Sequence, residues 1–119
     1  MAVSPEFLAH VLDLLAPLGP VTARRMFGGA GLYRRGVMFA LITRADVLYF
    51  RTDAANRDDY AAAGMGPFVP FADGRMTMPY HEAPAALMED AEDMCAWADR
   101  AWQAALRARR PSGKGTRRR

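Results

Sequence analysis

A stripe of small residues near the C-terminus constrains this fold most. Met94, Ala98, Ala101 and Ala105 share one face at about 100° per residue, and Trp97 and Trp102 flank that face on opposite sides. Small residues between two indole rings suit a helix packed closely on a sheet, so strands are expected beneath it. Glu92, Asp99, Gln103 and Arg107 point the other way. Asp90, with Asp93 three residues on, has the spacing of a capping box, and Pro84 opens a preliminary turn.

Strand patterns lie upstream. Met38–Ile42 is apolar at every position, which fits a central strand covered on both faces, and Val47–Phe50 resembles it. Arg44-Ala45-Asp46 between them is short enough for a hairpin loop. Thr22–Phe27 and Leu32–Arg34 form one bent strand or two. Phe68–Phe71 and Met76–Tyr80 read as a second hairpin around Asp73-Gly74, with Pro70 and Pro79 placing it at an edge or on bulges. Ser4-Pro5-Glu6 starts a first helix that Pro17–Pro20 ends, and Asp53 caps a short helix over Ala54–Ala63. The expected class is α+β: two layers, a mainly antiparallel sheet with helices on one face, in the order α-β-β(-β)-α-β-β-α.

The stretch RRMFGGAGLYRRGVMF, Arg24–Phe39, tests for phosphate chemistry. Gly31 and Gly36 have P-loop spacing, but Val37 and Met38 stand where a lysine and a hydroxyl belong. As a dinucleotide fingerprint, Gly29-Ala30-Gly31 leads to Arg34 in place of the third glycine, and a strand follows instead of a helix. Gly28-Gly29-Ala30-Gly31 matches the GxxG of a KH loop without its flanking helices. The plainer reading is a glycine-bent strand. Its binding alternative uses bare backbone N–H groups with Arg24 or Arg25 to hold a carboxylate or phosphate.

The same stretch, with LYFRTD, PFVPF, RMTMPYHEAP and MEDAEDMCAWADRA, resembles the N-terminal domain of the TfoX/Sxy family over residues 5–106. The most specific part is Arg25-Met26-Phe27-Gly28-Gly29-x-Gly31-x-Tyr33-x-x-Gly36-x-x-Phe39-Ala40. The resemblance implies a two-layer α+β domain and a role like that of competence regulators, which assist transcription alongside a cyclic-AMP receptor protein. Those regulators continue into a second, helical domain that these residues do not contain. No catalytic residue is carried over. The motif residues Arg24, Arg25, Phe27, Gly28, Gly29, Gly31 and Tyr33 are the candidate binding set. A protein partner, including the transcription machinery, is the expected ligand, and a homodimer through a sheet edge is also open.

Charge divides the chain. Residues 1–106 hold nine arginines and thirteen acids, whereas residues 107–119 hold six arginines, one lysine and no acid. We expect a domain over 1–108 and a disordered basic tail over 109–119. In that tail Arg109, Arg110, Lys114, Arg117, Arg118 and Arg119, with Arg107 just before, are candidates for weak, nonspecific nucleic-acid contact.

Other chemistry is thinly supplied. Cys95 is the lone cysteine, which suits a reducing cytoplasm and reads as a small core residue. His10 and His81 have no second ligand at i+3 or i+4, so no metal or cofactor is expected. His81-Glu82 reads as a polar loop pair, with acid–base work as its alternative. Met26, Met38, Met76 and Met78 read as adaptable core. The N-terminus lacks the pattern of a signal peptide, and no apolar run approaches the ~20 residues of a membrane span, so no membrane partner is expected.

Overall fold

The computed structural model describes residues 2–69 and 78–109. Ser4 starts α1 (Pro5–Leu15): its hydroxyl accepts from the Phe7 N–H at 3.1 Å, and Pro5 occupies the first turn, where no backbone donor is needed. Val11 and Leu15, four residues apart, are buried. A 3-10 turn at Ala16–Leu18 then leads the chain out through Gly19, at φ 107°.

Six strands follow: β1 (Thr22–Met26), β2 (Gly29–Arg34), β3 (Val37–Ile42), β4 (Leu48–Arg51), β5 (Pro67–Phe68) and β6 (Met78–Glu82). They form one antiparallel sheet in the order β1-β2-β3-β4-β6-β5. Helix α2 (Arg57–Ala62) lies between β4 and β5, and α3 (Ala91–Arg109) closes the described chain. The α+β class holds. Four strands precede α2, one more than the expected order allowed.

The extra strand comes from the glycine-rich stretch. Met26 pairs with Gly29 and Arg34 with Val37, so Phe27-Gly28 and Arg35-Gly36 are two-residue hairpin loops. Their φ values are 52° and 80°, then 51° and 77°. Two consecutive positive φ values mark the primed turns that match strand twist. The stretch is therefore a three-stranded meander: Thr22–Met26 and Leu32–Arg34 fall in two strands and not in one bent by glycine. The third loop, Arg44–Asp46, is the expected short hairpin, with Asp46 at φ 62°.

β3 is central, but its continuous apolar run has a specific cause. The register with β2 slips between Leu32 and Tyr33, leaving Phe39 as an extra residue. This bulge lets the adjacent Phe39 and Ala40 both be fully buried. Met38 and Leu41 are only half-buried, on the face away from the helices.

α3 covers β3 and β4 as the alanine stripe required. Met94, Ala98, Ala101 and Ala105 are buried in one core with Leu32, Ile42 and Phe50. Asp90 caps it, accepting from the Asp93 N–H at 3.0 Å. α1 packs beside α3, and the Cys95 thiol donates to the Leu14 carbonyl at 3.2 Å.

Two expectations move. Asp53 does not cap α2; it closes a tight turn instead, accepting from the Ala55 N–H at 2.9 Å, and the helix begins four residues later at Arg57. β6 runs on to Glu82, so His81-Glu82 is strand and not loop. β5 is the short edge, and the register slip between β5 and β6 gives Pro79 a place without a ladder donor. The Ala72–Arg75 turn lies outside the described residues.

Candidate functional site

The first hairpin tip has no stability rationale. Phe27 is 97% exposed, yet it holds a positive φ that favours Asn, Asp or Gly. The left-handed region costs a residue with a Cβ roughly 1–2 kcal/mol. Burial offsets none of this. The tip is also fixed in place: the Val3 N–H donates to the Gly28 carbonyl at 2.7 Å, and Val3 itself is buried. The next residue, Ser4, donates its N–H to Asp46 Oδ1 at 2.9 Å. The segment before α1 thus straps two hairpin loops together.

The glycines serve the backbone. A Cβ on Gly29 would fall on the carbonyl oxygen of Ile42, with Thr43 Cα at 3.2 Å. That neighbour is backbone, so it cannot swing aside. A Cβ on Gly31 would meet Met26 Cε at 2.8 Å and Met38 Sδ at 3.1 Å, both ends of flexible side chains. Met26 and Met38 therefore lie on the open face of the sheet and not in the core, a correction to the sequence reading. Tyr33 lies beside them.

Arg24 pairs with Gly31 and Arg25 with Ala30. Strand alternation sends them to opposite faces, so they do not converge on one anion. The Arg24 guanidinium lies 5.6 Å from the Tyr33 ring centroid. Both arginines are exposed on β1, an edge strand, and neither forms an ion pair among the described residues. Arg34 behaves differently: it reaches Asp99 at 3.6 Å and lies 4.3 Å from the Trp102 ring, and the Trp102 indole N–H donates to the Arg34 carbonyl at 2.9 Å.

Charge concentrates at this end of the sheet. No acidic residue occurs between Asp13 and Asp46, whereas Arg24, Arg25, Arg34, Arg35 and Arg44 do. A domain that is acidic overall thus presents a basic three-stranded meander. The exposed Phe27 sits at its corner.

The arginines assigned to the tail separate. Arg107 lies in α3 and grips Asp53 through two bonds, Nε to Oδ2 at 2.7 Å and Nη2 to Oδ1 at 3.1 Å. Arg109 is the last residue of α3. Arg110, Lys114, Arg117, Arg118 and Arg119 lie outside the described residues. The bond from Arg107 holds the Asp53 carboxyl below its ordinary value of 3.8. That stabilisation is present above the ordinary value and lost as pH falls through the lower folded one. The pair is partly exposed, so Arg107→Gln is expected to cost under about 1 kcal/mol, read as a small loss of urea midpoint that disappears in acid.

Another cluster lies where sequence reading saw a polar loop. His81 Nδ1 and the buried Thr52 hydroxyl are 2.9 Å apart, and the Tyr60 ring lies 5.5 Å from the imidazole. Burial, then Arg57, pushes the His81 pKa down, favouring the neutral ring. Trp97 meets Tyr60 edge-on at 4.8 Å. The Tyr60 hydroxyl is buried and has no partner among the described residues. Its pKa is pushed far above the ordinary 10.0 by burial. Tyr60→Phe removes an orphan donor and is expected to raise stability by about 1 kcal/mol at neutral pH. In the parent, the stability tied to the neutral phenol is complete below the ordinary value and lost as pH rises through the higher folded one. The variant lacks that loss, so the gap in Tm widens in alkali.

Elsewhere, His10 Nε2 donates to the Met88 carbonyl at 2.9 Å, which ties α1 to the 3-10 turn before α3. Among the described residues no three His, Cys, Asp or Glu side chains gather as metal ligands, and no helix is long and apolar enough to cross a membrane.

A family model for the TfoX N-terminal domain matches residues 13–105. The chain belongs to the TfoX N-terminal domain family. The matched segment takes in β1 to β6 and most of α3, so the basic meander is part of the TfoX domain itself. No curated protein matches the chain significantly.

Proposed function

We propose that this TfoX domain is a non-catalytic regulatory module that docks on an acidic surface of a protein partner through the β1 edge and the Phe27 tip. The observation that carries the reading is Phe27, almost fully exposed, at a positive φ and strapped from behind by Val3. A large aromatic held rigid in solvent is a ready anchor for a pocket. The outer side of β1 offers unpaired backbone donors and acceptors, which an extended partner strand can complete. Arg24 and Arg25 select an acidic partner and repel a basic one.

The same charges disfavour self-pairing. Antiparallel pairing of two copies through the middle of β1 sets either Arg24 opposite its own counterpart or Arg24 and Arg25 opposite each other, and like charges placed opposite one another destabilise a sheet. The family relationship supports a partner in the transcription machinery. On this reading the domain works in the cytoplasm, where a free thiol such as Cys95 stays reduced.

Photo-crosslinking tests the reading. A benzophenone side chain at position 27 is expected to capture a protein in native cells, while one at the exposed Ala61 on α2 does not capture it. Equal capture at both positions, no adduct, or an adduct that nuclease removes contradicts it.

A further inference from the structure

A cleft at the end of the sheet is built around a cation. Gly36, Val37 and Met38 from the start of β3, Arg51 from the end of β4, Tyr80 from β6, and Ala105 and Arg109 from the end of α3 line about 330 Å³ of space. Arg51 Nε is buried and has no hydrogen-bond partner among the described residues. Its guanidinium carbon lies 5.7 Å from the Tyr80 ring centroid, so the ring orients the group. A buried donor without an acceptor is uncommon in folded proteins and calls for an explanation.

Arg109 supplies a second positive charge, and among the described residues no acidic side chain lines the cleft. Asp53 is within electrostatic reach of Arg51, but its carboxylate is already engaged by Arg107 and the Ala55 N–H. Beyond Arg109 the chain carries no acid at all. The Tyr80 hydroxyl is protonated at neutral pH as any phenol is, and burial pushes its pKa higher still, so it can donate. Two guanidinium groups and a phenol suit a doubly charged oxyanion better than a single carboxylate.

We infer that this cleft binds a phosphate group, free or on a small molecule, with Arg51 as its central donor and Arg109 and Tyr80 as flanking donors. This site is separate from the β1 edge and holds or fails independently of the docking reading. It also differs from the anion site considered in the sequence, because Arg24 and Arg25 diverge.

NMR titration of the whole chain with inorganic phosphate, and separately with adenosine monophosphate, tests the inference. Saturable shifts are expected at the amides of Gly36, Val37, Met38 and Tyr80. Tighter binding of the nucleotide marks a phosphate monoester as the ligand, and equal binding marks the free ion. Arg51→Met is expected to keep the fold, since it removes a buried orphan donor, and to weaken binding at least about 10-fold. Arg109→Gln weakens it less, because Arg109 is exposed. Three results overturn the inference: no saturable shift with either probe, shifts centred on Arg57 and His81 instead, or unchanged affinity in a folded Arg51→Met variant.

Discussion

Gly29→Ala is expected to destabilise the domain by about 3 kcal/mol or more, enough to leave much of it unfolded at physiological temperature. The added methyl lands on the Ile42 carbonyl, in the ladder that joins β2 to the central strand. Relief requires β2 to move away from β3, which breaks the register through Ala30 and Leu32, both core residues. Gly31→Ala, two residues on, is the control. Its methyl meets side chains alone, the ends of Met26 and Met38 and the edge of the Tyr33 ring at 3.2 Å, so the cost is expected to be about 1 kcal/mol. Urea unfolding of both variants reads the contrast. Equal losses at the two positions contradict the assigned register.

Phe39→Ala is expected to cost roughly 3–5 kcal/mol. Phe39 is wholly buried at the bulge, with its ring stacked 6.4 Å from that of Phe50. Truncation opens a cavity in the layer that α3 covers, and the strand cannot close it without losing the extra residue of the bulge. Thermal unfolding of Phe39→Ala beside Phe39→Leu reads this. A loss under about 1 kcal/mol in the alanine variant means that the ring is not part of the core.

Some of this was legible in the sequence because its signals are local. The alanine stripe of α3 reports a helical period within one segment, and Asp90 announces its own cap. Ser4-Pro5 does the same for α1. The two primed hairpins were hidden because Phe27 and Arg35 occupy positions where Asn or Asp usually advertises the turn. The glycines after them were visible, but their partners argued for strand. Asp53 reads in sequence as the cap of α2, but it closes the turn ahead of that helix. In sequence the strand reads as ending at Tyr80, before the polar pair His81-Glu82, which leaves His81 in a supposed loop. The Arg51–Tyr80–Arg109 cleft had no sequence signature, because its residues come from three elements that only the closed sheet brings together.

Exposure and charge at the first hairpin could be anticipated only in part. Arg24, Arg25 and Phe27 were singled out as a binding set, but not the divergence of the arginines or the isolation of the ring. Phe27 now carries the central claim, because it is the motif's large apolar residue and yet is almost fully exposed.

The deciding measurement uses Phe27→Asn and the partner captured at that position. Asn suits a positive φ before Gly28, so the variant is expected to gain about 1 kcal/mol, a rise of several degrees in Tm. Its affinity for the purified partner is expected to fall at least about 10-fold, while the parent's affinity weakens with added salt. A variant that is more stable yet binds as tightly as the parent contradicts the account, and so does one that loses stability and binding together.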